Sequence, residues 1–345
     1  MGWIITILAL GIVIAIHEFG HLLVAKWNGI AAPEFSVGMG PKLFGKRIGS
    51  TEYNLRLLPI GGFVKIAGLD NEDPPPGQSY FDKSFFARFS TVIAGPLMNI
   101  ALGIVIFSFL FAIYGGSKMV ARVDFVKPGS PAALAGLQVG DKIRAVDSTP
   151  VQDAKRDIIG TIRHSHNRPL QFDIQRGTQV LQLRMAPQGA VPQVGIILGS
   201  QTQHFTPLGA IQEGVFETGR QIQMMGITLK MLVSGQAGLK DLAGPVGIVQ
   251  MATLGLSRSF GIFLGIMGMI SVGLGMANLL PIPILDGGHI VLLCIEKIIG
   301  RRLSPKVEEW MTYVGLAIIV TLMALVVGND VLHWQDRIAL LKGMK

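Results

Sequence analysis

The stretch Ile12-Val13-Ile14-Ala15-Ile16-His17-Glu18-Phe19-Gly20-His21-Leu22-Leu23-Val24-Ala25 decides how the rest of the chain is read. In a helix, His17 and His21 lie one turn apart on a shared face, so their imidazoles can converge on one metal ion. Glu18 then lies beside that ion. No charged side chain precedes the cluster, and ionisable groups at membrane depth are expensive and usually retained for function. His-Glu-x-x-His is also the spacing with which a helix offers two ligands and a general base to a hydrolytic zinc ion. The stretch predicts metal chemistry carried out inside a bilayer.

Composition agrees with that setting. Of 345 residues, 50% are hydrophobic and 15% charged, against about 25% charged in ordinary soluble domains. Uncharged runs predict four transmembrane helices, at about 3–25, 89–114, 259–285 and 310–329, each near the roughly 20 residues that crossing hydrocarbon requires. The first run is short and N-terminal like a secretory signal, but it lacks a positive leading region and carries the histidines, so it is expected to stay as a span. The single cysteine, Cys294, excludes an intrachain disulfide and is expected to pack as a small apolar side chain.

The formal net charge of +8 fits topology better than nucleic acid, because its placement follows the spans. Lys26, Lys42, Lys46, Arg47, Arg56, Lys65, Lys83 and Arg88 lie between the first two, and Lys297, Arg301, Arg302 and Lys306 between the last two. The positive-inside rule predicts both loops in the cytoplasm and the N-terminus outside.

Between the spans, residues 33–68 carry Gly and Pro punctuation and an alternating Tyr53, Leu55, Leu57. They read as a β-hairpin lying against the membrane or as an ordinary cytoplasmic loop. Residues 70–79, with Pro74-Pro75-Pro76-Gly77, read as an irregular connector. Residues 118–200 mix charges with short alternating runs, Leu170-Phe172-Ile174 and Leu181-Leu183-Met185, about a turn at Arg176-Gly177. These predict a small soluble α+β domain outside the cytoplasm. Its Pro128-Gly129-Ser130-Pro131-Ala132-Ala133 and Gly136-Leu137-Gln138-Val139-Gly140-Asp141 resemble bacterial PDZ domains, which bind extended peptides by strand addition. Within a linker region 201–258, Ile211, Val215, Ile222, Met225, Leu229 and Leu232 recur at steps of three and four, interrupted only by Thr218. This is an amphipathic helix, set either along the membrane surface or against the soluble domain.

Two histidines leave a catalytic zinc short of its usual three protein ligands and open position. Asp286 is the carboxylate that ends the third uncharged run, and an oxygen ligand suits zinc. The charge-derived topology brings it to the right depth. The histidines fall about 20 Å along an inward-running first helix at 1.5 Å per residue. The third helix also runs inward towards Asp286, and Gly95-Pro96-Leu97-Met98-Asn99 lies in the first turns of the second.

Taken in order, His-Glu-Phe-Gly-His, Gly-Pro-Leu-Met-Asn, the PDZ-like insertion, and Asn278-Leu279-Leu280-Pro281 through Leu285-Asp286-Gly287-Gly288-His289 resemble the bacterial site-2 protease family over essentially the full length. These are the RseP-like intramembrane zinc metalloproteases of peptidase group M50B, here in a single-PDZ form where the better known enterobacterial relatives carry two. The resemblance implies His17, His21 and Asp286 as ligands of one catalytic Zn2+, and Glu18 as general base. It implies substrates with a transmembrane segment, such as anti-sigma factors and remnant signal peptides, cut after an upstream site-1-type protease. It also implies a bacterial cytoplasmic (inner) membrane, with the N-terminus and PDZ-like domain in the periplasm and the active site towards the cytoplasm. The 33–68 hairpin resembles the family segment that pairs with unwound substrate. The Asn278 carboxamide either holds substrate backbone or serves local structure.

Other residues read more plainly. His289 is expected to support the site without ligating, Asn99 and Pro96 to shape helix packing. His164, His166, His204 and His333 lie outside the spans with no identified metal partner. Two rival functions remain at this level, a non-catalytic membrane scaffold with a structural zinc and a metal transporter. The second is disfavoured because spans two and four hold no ionisable residue beyond Tyr114 and Tyr313.

Overall fold

A computed structural model describes residues 2–69, 76–236, 238 and 244–332. Residues 70–75 of the proline-rich connector and His333 lie outside the described residues. The chain divides into two units, residues 1–113 with 206–345, and residues 114–205.

Helix α1 spans Gly2–Trp27, about 39 Å at 1.5 Å per residue. Its buried positions, Thr6, Val13, His17, Gly20, His21 and Ala25, recur at helical spacing and include all its polar groups but Glu18 and the terminal Lys26. Trp3, Ile4, Leu8, Ile12, Phe19 and Leu23 face outward. Small and polar residues inside with large apolar residues outside is the pattern of a helix bathed in lipid. Asn28, just past its end, donates to Ala87 O at 3.0 Å and so ties it to the second long helix.

Strands β1 (Glu34–Ile48) and β2 (Thr51–Lys65) form an antiparallel hairpin whose register shifts several times. The open choice for residues 33–68 resolves as a hairpin because Glu34 anchors it. One Glu34 oxygen accepts from Ser36 Oγ, Asn54 Nδ2 and Arg56 Nη2 at 2.8, 2.9 and 2.6 Å, and the other faces Lys65 Nζ at 3.2 Å. Burial pushes the Glu34 carboxyl up, but the hydrogen bonds from Arg56, Ser36, Asn54 and Lys65 outweigh it and hold the group at about 2. Further along the hairpin, Met39, Leu43, Phe44, Leu55, Leu57, Leu58 and Ile60 are exposed.

A single 3-10 turn, Tyr80–Asp82, leads into α2, Phe85–Tyr114, with Pro96 inside it. Helices α1 and α2 approach closely at Gly20, where a Cβ would stand 2.6 Å from Ala94 O.

The second unit is a sheet in the order β7-β6-β4-β3-β8, with β5 paired to β4. Its elements are β3 (Gly116–Val126), α3 (Pro131–Leu134), β4 (Lys142–Val146), β5 (Thr149–Pro150), a π-type turn Ala154–Gly160, α4 (Thr161–Arg163), β6 (Leu170–Arg176), β7 (Gln179–Met185) and β8 (Ile196–Gln203). The alternating run Leu170, Phe172 and Ile174 is buried against Val123, Ile143, Val146 and Ile158. β6 and β7 pair antiparallel around the expected Gly177 turn.

The chain returns to the first unit through α5, Pro207–Val233, whose start is capped by Thr206 Oγ1 accepting from Gly209 N at 3.2 Å. Its small face packs inward, with Gly214 against Ile104 and Ser108 of α2. Leu208, Ile211, Val215, Phe216 and Met224 stay exposed. Helix α6, Pro245–Arg258, begins on a buried carboxylate, because Asp330 accepts from Gly244 N and Gly247 N at 3.1 and 2.9 Å.

The third span departs from expectation. Helix α7 covers Phe260–Asn278 and stops seven residues short of 285. Pro281 and Pro283 have no N–H to return to the preceding turn, and each restricts the residue before it. Leu279–Leu285 is therefore an irregular loop, in which Ile284 takes a φ of +80°. A β-branched residue there is strained by about 1–3 kcal/mol. Asp286 is the first residue of a further helix, α8 (Asp286–Ile299), where a loop was expected. Cys294 on α8 is exposed instead of packed. Helix α9, Pro305–Leu332, runs longer than the expected 310–329. Four of the described helices, α1, α2, α7 and most of α9, are long and apolar enough to cross a membrane.

Candidate metal centre

His17 and His21 meet edge to face, with ring centroids 4.9 Å apart and their Nε2 atoms 3.2 Å apart. The Asp286 carboxylate closes on both, Oδ2 at 3.1 Å from His17 Nε2 and Oδ1 at 3.4 Å from His21 Nε2. Among the described residues these three form the one group of His, Cys, Asp or Glu side chains spaced to hold a metal ion. Both histidines are buried.

The donor set fits zinc on two counts. Ligands at about 2.0–2.1 Å in a tetrahedron stand about 3.3 Å from one another, which is the separation seen here. Asp286 Oδ2 is also buried without a hydrogen-bond donor, and a carboxylate oxygen left so is costly unless a cation answers it. Two nitrogens and a carboxylate, all turned inward, are a donor set that a divalent cation can take between them.

Helix α2 orients the pair. Thr91, Gly95 and Asn99 follow one another at four-residue spacing and so share a helical face. His21 Nδ1 lies 2.9 Å from Thr91 O. A carbonyl only accepts, so Nδ1 carries a proton, and in the neutral ring Nε2 then has the lone pair that a cation could use. His17 Nδ1 lies 3.3 Å from the Asn99 side-chain amide. Between them, Gly95 leaves room for both rings, since a Cβ there would stand 2.2 Å from His21 Nε2 and 2.8 Å from His17 Nε2. Asn99 and Pro96 were expected only to shape packing. Pro96 does that, with its carbonyl where a Cβ on Gly275 of α7 would come within 2.7 Å, whereas Asn99 also touches His17. The four-residue spacing of Thr91, Gly95 and Asn99 was the sequence signal that could have singled out this face.

Glu18 points to another side. Its Oε2 accepts from the backbone N–H of Val64 on β2 at 3.2 Å, so the hairpin holds this carboxylate beside the cluster without burying it in an ion pair with Lys or Arg. Asn278 ends α7, just before the loop that leads to Asp286. Its side chain is half-buried and makes no hydrogen bond among the described residues, so it is not locked into local structure. His289 lies on α8 outside the cluster. His164, His166 and His204 belong to the second unit, where His164 Nδ1 lies 2.8 Å from Gly160 O.

A family model described as peptidase family M50 matches residues 5–322. A protein of Clostridium perfringens is 37% identical over 333 residues, covering 95% of this chain and 98% of the relative. One of Clostridium acetobutylicum is 33% identical over 335 residues, covering 96% and 97%. A third, of Brucella suis, is 33% identical over 365 residues, covering 96% and 95%. All three bear the provisional name of zinc metalloprotease.

Proposed function

The chain belongs to peptidase family M50, a family of zinc metalloproteases, and from this premise we propose that it hydrolyses peptide bonds within or beside the transmembrane segments of single-span proteins. His17, His21 and Asp286 hold the ion and Glu18 is the general base. The observation that carries this reading is the convergence of two imidazoles and a carboxylate from opposite ends of the chain, next to a second carboxylate left free for proton transfer.

When bound, zinc supplies Lewis acidity, bringing the pKa of water down to about 7 and polarising the scissile carbonyl. Glu18 takes the proton from the attacking water and returns it to the leaving amine. The Val64 N–H keeps one Glu18 oxygen fixed, so the other faces the reaction. The scissile bond must leave its helix first, because an intact helix shields its own backbone. Exposed backbone in hydrocarbon then needs partners. The edge of the hairpin supplies them by strand addition, and the unengaged Asn278 carboxamide adds a further contact.

Lys and Arg placement supports a cytoplasmic side for the first and last loops, and a periplasmic side for the N-terminus and residues 114–205 in a bacterial inner membrane. The second unit, read as a PDZ-like domain, screens or binds substrates there. In this reading the substrates are anti-sigma-factor-like proteins and remnant signal peptides already trimmed by a site-1-type protease. The test uses purified Glu18→Gln with a helical reporter substrate. Cleavage should fall by several orders of magnitude while zinc content holds at one ion per chain. Undiminished cleavage rules the reading out, and zinc uptake into proteoliposomes by the same preparation would favour transport.

A further inference from the structure

Asn99 is fully buried on α2, and its position is set from both sides. Its backbone carbonyl accepts from Ser271 Oγ on α7 at 2.8 Å, and its carboxamide meets His17 Nδ1 at 3.3 Å. The nitrogen Nδ2 faces the ring and Oδ1 is buried with no partner. If Nδ2 donated to Nδ1, the His17 proton would have to sit on Nε2. That atom points at His21 Nε2 and Asp286, where a lone pair is needed to bind a cation. The oxygen and nitrogen of a carboxamide occupy the same space, and which is which follows from the hydrogen-bond network. Exchanging them lets Oδ1 accept from His17 Nδ1–H. The oxygen then has a donor and Nε2 has its lone pair, while the amide nitrogen takes the enclosed place where the oxygen stood.

We propose that Asn99 is a positioning residue for the metal site, whose side-chain oxygen accepts from His17 Nδ1–H and so holds His17 in the tautomer that presents Nε2 to zinc. The proposal rests on the reading of His17, His21 and Asp286 as zinc ligands. It makes the two histidines a matched pair, each fixed through Nδ1 by an oxygen of α2, the Thr91 carbonyl for His21 and the Asn99 carboxamide for His17. Gly95, one turn from each, keeps the space between them open. Asn99 touches no reacting atom, so its effect is on affinity and ligand geometry.

Zinc affinity of the full-length, detergent-purified chain, measured by competition with a chromogenic chelator, tests this directly. Asn99→Leu keeps the volume and removes the acceptor, and should weaken zinc by about 10–100-fold. Asn99→Asp keeps an acceptor and removes the donor, and should bind zinc within a few-fold of wild type. Thermal unfolding of each metal-free protein reports folding separately. Leu binding as tightly as wild type overturns the proposal, and so does Asp binding as weakly as a folded Leu variant. A wild-type chain that takes up no zinc overturns the ligand assignment itself, an outcome distinct from either.

Discussion

At the scale of single residues, the chemistry of the site depends on atoms that leave no room for alternatives. Gly95 is the sharpest case. An added methyl group would overlap His21 Nε2 and His17 Nε2, and the ring that yields must give up its place in the cluster. Gly95→Ala should lower zinc affinity at least tenfold in chelator competition, while detergent-solubilised protein still elutes as a folded species. Gly20→Ala, beside His21 and facing Ala94 O, should act first on the packing of α1 against α2, with a cost of about 1–3 kcal/mol in thermal unfolding. The His17-Glu18-His21 pattern was legible because a helix alone brings these residues together. The role of Asn99 was not, because it depends on how α2 is turned against α1, and a lone amide in an apolar run carries no periodic signature of a partner 82 residues away.

At the scale of elements, the hairpin and the loop before Asp286 show why short-range patterns resolved only partly. The hairpin's strands alternate weakly and shift register, and what stabilises them is the ring of donors around Glu34. The folded-state carboxyl sits at about 2, below the unfolded value of about 4.3. Its contribution to hairpin stability is therefore complete above the unfolded value and is lost as pH falls towards 2. Amide hydrogen exchange across Glu34–Lys65 should accelerate more, after correction for intrinsic rates, between pH 6 and pH 3 in wild type than in Glu34→Gln. An equal response in both proteins would separate Glu34 from hairpin stability. In the third span, unbroken apolarity up to residue 285 outweighed Pro281 and Pro283 as a sequence signal. The prolines decided the helix end all the same, because a missing N–H cannot be offset by hydrophobicity in a segment whose backbone must bond internally.

At the scale of the whole molecule, the third candidate ligand is delivered by a helix that is itself anchored elsewhere. Arg88 near the start of α2 pairs with Glu296 on α8 at 2.9 Å, both nearly enclosed, and Glu296 also accepts from Leu303 N at 3.1 Å. Removing one member strands the other, so Arg88→Met should destabilise the protein by about 3–5 kcal/mol. Arg88→Met combined with Glu296→Leu should recover much of that loss in thermal unfolding. A double variant as unstable as the single would show that the pair is not the source. The amino-acid sequence by itself determined the four apolar runs, the His-Glu-x-x-His chemistry and Asp286 as the carboxylate to watch, since these follow from composition and from spacing within one helix. Tertiary structure alone decided that Asp286 closes on both imidazoles, that α2 orients them through Nδ1, and that a hairpin amide holds Glu18. Each of these contacts joins segments dozens to hundreds of residues apart, and their separation after folding depends on how helices pack, which local periodicity does not encode.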